Sequence, residues 1–373
     1  MSTPSPLVAS PLPTVQAIDG LAPGNALATT PDSITRTRGP MLNPRRSDYD
    51  VTNTVQVSSP DAVRLAISQL FAEAWPRTPF HPLERSFARF EEMFSGRAPG
   101  YEGVDTLYHD TQHTLDITLA MARLMVGYER QNDARDRFGG ERAVVGLITA
   151  LFHDVGYLRH ISDLEAQNGA EFTRVHVSRG ARFLAGWLPE IGLEHWVGVV
   201  SELIHYTGYE KPIAKIVLED SRDRRLGQLL GTADMAAQMA DRCYLEKCRD
   251  RLYPEFVLGG VALPTSAEGY RKVIYASGLD LLRQTPDFMQ QVRTKRLDGE
   301  FESVYRYVEI LFGGRNPYIE AIERNLAFIR EVLRSESWRM LRRNPPVFAA
   351  VPDPVGNMRG LMAGYIRKAW TEE

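Results

Sequence analysis

The stretch Ser59-Pro60-Asp61-Ala62-Val63-Arg64-Leu65-Ala66-Ile67-Ser68-Gln69-Leu70-Phe71-Ala72-Glu73-Ala74 decides the fold class. It opens with a hydroxyl suited to capping a helix, a proline at the first helical position and an acid in the first turn. Val63, Ile67, Leu70 and Ala74 then recur at the helical period. Outward from this stretch the period returns in Phe87, Phe90 and Phe94, in Val304, Val308 and Leu311, and in Ile322, Leu326, Ile329 and Leu333. Strand-like alternation is scarce, with 214–218 the only short candidate. The expected fold is all-α.

The chain has 373 residues, a net charge of −3 and 43% hydrophobic residues, an ordinary globular composition. This charge balance leaves no electrostatic footprint for nucleic acid and no polybasic surface for a membrane. Nine of the 23 prolines fall in the first 60 residues, among many Ser and Thr. Residues 1–57 are therefore expected to form a disordered tail. One helical domain should follow over 58–345, its core at about 100–250, with a C-terminal extension at 346–373. Breaks at 131–141, 207–214, 258–265 and 313–317 look like loops within that domain. The amino terminus lacks a signal-peptide pattern, and no apolar run is long enough to span a membrane. Cys243 and Cys248, the only cysteines, exclude a disulfide framework and fit a reducing, cytoplasmic compartment. A homo-oligomer is left open.

Three segments stand out, two of them carrying three of the eight histidines. Tyr108-His109-Asp110-Thr111-Gln112-His113 puts two imidazoles at i and i+4, on one face of a helix. His153-Asp154 ends an apolar run at 144–152. Asp234 lies alone in the mostly apolar Leu229-Leu230-Gly231-Thr232-Ala233-Asp234-Met235-Ala236. Buried carboxylates need compensation, and a divalent cation would supply it for all three segments. Imidazole and carboxylate ligands without thiolate suit one or two ions of Zn, Mn, Fe, Ni or Co, or Mg with waters.

The order His113, His153-Asp154, Asp234 resembles the HD superfamily of metal-dependent phosphohydrolases. Tyr108-His109-Asp110-Thr111-Gln112-His113-Thr114-Leu115-Asp116-Ile117 is similar to the Tyr-His-Asn-x-x-His-x-x-Asp-Val signature of cyclic-nucleotide phosphodiesterases. This resemblance covers roughly residues 100–250. It implies an HD-type helical bundle in which His113, His153, Asp154 and Asp234 hold a first metal and Asp154 bridges to a second. It further implies that a metal-activated hydroxide attacks a phosphodiester, such as a cyclic nucleotide, while His109 protonates the leaving oxygen. His176 and His205 occupy intervals where some HD proteins complete a second metal site. Asp116, one turn past His113, is either an acceptor orienting an imidazole or a solvated carboxylate.

After its His-Asp pair the chain reads Val155-Gly156-Tyr157-Leu158, where the phosphodiesterases have Asp-His-Pro-Gly, so Tyr157 replaces a family histidine. Asn325 and Phe328, three apart, are the nearest counterpart to the family's base-reading glutamine and phenylalanine. Arg179 is a cation near the expected site that could hold a phosphate, and Gln238, one turn after Asp234, could face a cleft. His160 is expected at a cleft rim, His195 at a helix start and His81 in a loop. The charge-rich 239–253 reads as an exposed helix face with internal ion pairs. Two further activities remain to be separated from a small-molecule phosphate-ester hydrolase: a di-iron HD-type oxygenase using the same ligands, and a non-catalytic helical regulator that binds metal.

Overall fold

A long, almost wholly buried helix organises the chain. In the computed structural model, which describes residues 45–264 and 272–371, helix α3 (Thr111–Gln131) is buried from Gln112 to Glu129. Its apolar residues cover every side, so it takes neighbours all round instead of facing water. Before it come α1 (Pro60–Ala74) and α2 (His81–Phe94). After it come α4 (Gly140–Leu151), α5 (His176–Glu190), α6 (Val197–Leu203) and α7 (Ser221–Ala240). The rest are α8 (Tyr244–Lys247), α9 (Tyr253–Leu258), α10 (Gly278–Gln291), α11 (Pro317–Ser335) and α12 (Pro354–Thr371). Helix α3 packs against α1, α4, α7 and a 3₁₀ helix at Val304–Phe312, and α7 packs against α11.

The opening stretch behaves as its sequence requires. Ser59 Oγ accepts the Ala62 N–H at 3.3 Å, and Val63, Ile67 and Phe71 are buried. Each such side chain contributes about 1.5–3 kcal/mol on full burial. Among the described residues there is no strand, only isolated bridges at Tyr49–Gln56 and Tyr101–His160. The strand candidate at 214–218 instead overlaps a 3₁₀ turn, Ile213–Lys215. No helix among the described residues is long and apolar enough to cross a membrane.

Residues 1–44 of the expected tail lie outside the described residues, but 45–57 are packed. Asp50 is fully buried and pairs with Arg123 of α3 at 2.8 Å. It also accepts the N–H groups of Thr52, Thr54 and Val55. Burial opposes its charge, yet Arg123 and these donors lower its pKa to about 2. Arg45 reaches the Ala240 carbonyl at the end of α7, and Gln112 donates to the Ser47 carbonyl. The segment thus ties α3 to α7. Local hydrogen bonding around one aspartate outweighs a proline-rich context here.

At the other end, the C-terminal extension carries α12. It packs on α9, burying Met358 beside Leu107, Ala170 and Leu258. Nor is 239–253 an exposed face: Glu246, Lys247 and Arg251 are buried. Lys247 pairs with Asp241 at 2.5 Å, and Arg251 approaches Asp110 at 3.7 Å. These charges brace the start of α3, where the histidines lie.

Candidate metal centre

Four elements deliver the site. Asp110 caps α3, its side chain accepting the His113 N–H at 3.0 Å. His113 therefore lies in the first turn while His109 precedes the helix. The two were expected on one helical face. They still meet, with ring centroids 5.2 Å apart. Helix α4 ends at Leu151, and the turn after it carries the buried His153 and Asp154. His176 is the first residue of α5, and Asp234 lies in the second half of α7.

The imidazoles converge on one carboxylate. His113 Nε2 and His153 Nε2 lie 3.3 and 3.1 Å from Asp154 Oδ2, and His176 Nε2 lies 3.7 Å from Asp154 Oδ1. Two ligands bound about 2.1 Å from one ion are themselves about 3.0–3.4 Å apart, so the first two distances fit shared coordination. The Nδ1 of His153 faces the Ala150 carbonyl and that of His176 the Thr173 carbonyl, each at 2.8 Å. Such contacts leave Nε2 as the atom for a ligand. His153 Nε2 and Asp154 Oδ2 are buried without an aligned hydrogen bond. Two groupings, His109–His113–Asp154 and His113–His153–Asp234, have ligand atoms within 4.8 Å of one another. Buried imidazole and carboxylate atoms that meet without an aligned hydrogen bond fit a divalent cation.

The electrostatics agree with a place for positive charge. Burial pushes Asp234 up to about 7, only partly offset by His153 and more distant cations. Burial opposes the charge on His153, yet Asp154 raises its pKa to about 9. Asp154 stays well below the usual carboxylate range despite burial, because His153 and His113 face it. Burial also lowers His113 and His176.

No family model, curated protein or solved structure matches this chain. The chemistry of the site therefore rests on its own geometry.

Glu255 is a site residue that the sequence reading missed. It is fully buried on α9 and lies 2.5 Å from His109 Nδ1. Its other oxygen accepts the Leu107 and Tyr108 N–H groups, each at 2.6 Å. Burial disfavours a charge on His109, but Glu255, with Asp154 and Asp234 behind it, raises the His109 pKa. A lone acid in the apolar Tyr253–Leu258 was the same signal that singled out Asp234. Tyr157 stacks between two imidazoles, 4.4 Å from His109 on one face and 4.4 Å from His176 on the other. Gln238 faces the cavity: its carbonyl accepts the Tyr108 hydroxyl at 3.0 Å, and its amide approaches Asp234 at 3.4 Å.

Several candidates lie elsewhere. His205 is half-buried in the turn Ile204–Tyr206, where Ile204 and Tyr206 take the inward positions; its charged neighbours are Glu202, Glu210 and Lys211. It belongs to neither ligand grouping. Arg179 is held by the Gly156 and Leu158 carbonyls and by Asp163, and it covers the Phe172 ring. Asn325 donates to the Met239 and Asp241 carbonyls at 2.8 Å, closing the end of α7. Phe328 lies beneath Arg343. None of these lines the cavity described below. His195 pairs with Glu141 on the surface, and His81 starts α2.

Asp116 faces the N-terminal segment instead of His113, His153 and Asp154. Its charged surroundings are Asp50, Arg45, Asp241 and Arg123, and its Oδ1 is buried without a partner. Burial, then Asp50, raises its pKa to about 7. A carboxyl raised on folding keeps its proton in the folded state while the unfolded chain loses it near pH 4. Stability from this group therefore falls as pH rises from about 4 to about 7, separate from the loss at Asp50 below pH 4. Asp116→Asn should flatten that slope and raise stability at pH 8 by a few kcal/mol, on the order of 1.4 per pKa unit. Urea unfolding at pH 5 and pH 8 tests this, and an unchanged slope in the variant refutes it.

The turn after Asp154 depends on Gly156. A Cβ there would lie 1.8 Å from the His176 carbonyl oxygen and 2.9 Å from the Gly180 nitrogen. Both obstacles are backbone, so neither can swing aside. Gly156→Ala should push α5 from the His153–Asp154 turn and cost roughly 2–4 kcal/mol, the scale of severe overpacking. Loss of bound metal should accompany the drop in melting temperature. A variant with wild-type melting and metal content would contradict the close packing.

Proposed function

We propose that this protein is a metal-dependent phosphoric ester hydrolase with an HD-type helical bundle, acting on a phosphodiester. The observation that carries the reading is the convergence of His113, His153, Asp154 and Asp234, with buried atoms that lack an aligned hydrogen bond, beside an imidazole held by a buried carboxylate. His109, His113, Asp154 and Asp234 line the floor of a cavity of about 460 Å³, with His153 buried behind them, and its size admits a small-molecule ester.

His113, His153, Asp154 and Asp234 would hold the ion, with His176 near Asp154. A divalent ion bound there supplies Lewis acidity and a nucleophile from water at neutral pH. The chain's own residues do the rest. Glu255 fixes the His109 ring through Nδ1 and stabilises its charged form, so Nε2 is the atom left to donate a proton to the departing oxygen. Tyr157 prevents the ring from tilting towards His176. The apolar wall above limits water around the reacting ester.

Elemental analysis of protein purified without chelators, paired with a panel of phosphodiesters and phosphomonoesters under several added metals, tests the reading. Stoichiometric divalent metal and phosphodiester turnover are expected. Iron with oxygen uptake and no hydrolysis would assign an oxygenase; stoichiometric metal without any turnover would assign a binding protein.

A further inference from the structure

The cavity's ionisable cluster lies at its floor. Above the ligand cluster its wall is built by Leu252, Phe256, Val261, Tyr275, Leu281 and Phe288. The Phe256 and Tyr275 rings stack 5.9 Å apart on one side of this wall. Phe288, 40% exposed, reaches solvent.

Several polar groups on the wall have their donors engaged. The Thr173, Thr207 and Thr285 hydroxyls donate to the carbonyls of Ala170, Ile204 and Leu281, at 2.6, 2.8 and 2.9 Å. The Gln284 amide donates to the Ile274 carbonyl at 3.2 Å. Among the described residues, Arg174 is the one lysine or arginine on the lining, and its guanidinium donates to the Gly260 carbonyl. A carboxylate lines the cavity as well: Glu210, which caps the first turn of α5 through Val177 and Ser178.

A second or third phosphate would therefore meet one engaged cation and a carboxylate. A nucleobase edge would give up water for a wall on which the three threonine hydroxyls and one Gln284 N–H already serve backbone carbonyls, so much of its desolvation would go uncompensated. A hydrocarbon or aryl group would instead displace water from apolar and aromatic surface.

We propose that the substrate is an ester of a single phosphate whose organic group is apolar, an aryl or alkyl alcohol, in place of a nucleoside or polyphosphate. The inference rests on the hydrolase reading above for its chemistry and on the cavity wall for its specificity.

The test compares phosphodiesters that share a p-nitrophenolate leaving group and differ in the second ester group: methyl, phenyl, octyl and thymidine 5′. With the leaving group constant, kcat/KM reports recognition of the second group. Phenyl or octyl is expected to exceed methyl by about tenfold or more, with thymidine no better than methyl. The phenyl and octyl arms separate an aryl from an alkyl substrate. Preference for thymidine, or equal rates across the series, overturns the inference. Phe256→Ala should bring the phenyl-to-methyl ratio towards one; an unaltered ratio in this variant and in Phe288→Ala also overturns it.

Calorimetry on the metal-loaded protein reads the same preference without turnover, using phenyl, octyl and methyl phosphate and thymidine 5′-monophosphate. If no diester is hydrolysed but phenyl or octyl phosphate binds about tenfold tighter than methyl phosphate, the hydrolase reading fails and the apolar specificity stands. If diesters are hydrolysed without apolar preference, the hydrolase reading stands and this inference falls.

Discussion

Asp154→Asn is expected to strip the protein of metal and activity together. Asparagine keeps the volume and removes the charge, so the effect reports electrostatics and not a cavity. Asp154 is the carboxylate on which His113, His153 and His176 converge, and it belongs to one of the two possible ligand groupings. Residues that merely orient a ligand are worth about 10–100-fold in metal affinity, so losing this carboxylate should cost more than 100-fold. Turnover should fall about a thousandfold or below detection. The wild-type pH dependence follows from the same group. In the metal-free protein Asp154 holds a proton on His153, whose pKa is about 9. A metal must displace that proton, so affinity rises with pH until about 9 and flattens above it. In Asp154→Asn the principal cause of the raised pKa is gone, so the rise moves to lower pH. Metal titrations between pH 6 and 10 measure both effects. Stoichiometric tight binding by the variant would remove Asp154 from the ligand set.

How much of this was legible in the sequence depends on what kind of force fixes each residue. The cap at Ser59 is local and appears as read, while of the spaced residues Val63 and Ile67 are buried, Leu70 and Ala74 are half-buried, and Phe71 is the third buried side chain. The conjunction of His113, His153, Asp154 and Asp234 was also legible, since isolated ionisable groups in apolar helices must find one another. Their meeting places are the ends or middles of α3, α4 and α7. Asp116 was not legible because α3 is buried on all sides, so amphipathic contrast cannot say which neighbour a given face meets. Its neighbour proved to be a segment whose proline and Ser/Thr content suggested disorder, held instead by the local hydrogen bonds of Asp50. Arg179 and Asn325 were equally unreadable, since each satisfies backbone carbonyls that only the tertiary fold presents. Glu255 carried a readable signal, a lone acid in an apolar run, hidden by the charge-rich segment directly before it.

His109→Asn is expected to keep its metal and lose about 10²–10⁴ in kcat, the usual worth of a positioned general acid. The competing role is specific, because His109 also falls in a ligand grouping with His113 and Asp154. The Glu255 contact fixes the ring through Nδ1 and raises the His109 pKa, as a proton donor requires, while the same contact would also orient a ligand, so the metal content of His109→Asn separates the two roles. Glu255→Gln probes this contact without removing the ring. The glutamine carbonyl can still accept the Leu107 and Tyr108 N–H groups, so the turn should hold. Its amide cannot stabilise an imidazolium, so the His109 pKa should fall. A general acid is active only while protonated; the alkaline limb of kcat/KM should therefore move to lower pH, with kcat at neutral pH down by about 10–100-fold. Metal content should stay at the wild-type level in both variants. Loss of metal in His109→Asn would make His109 a ligand and leave the leaving group without its donor; an unmoved alkaline limb in Glu255→Gln would detach that limb from His109.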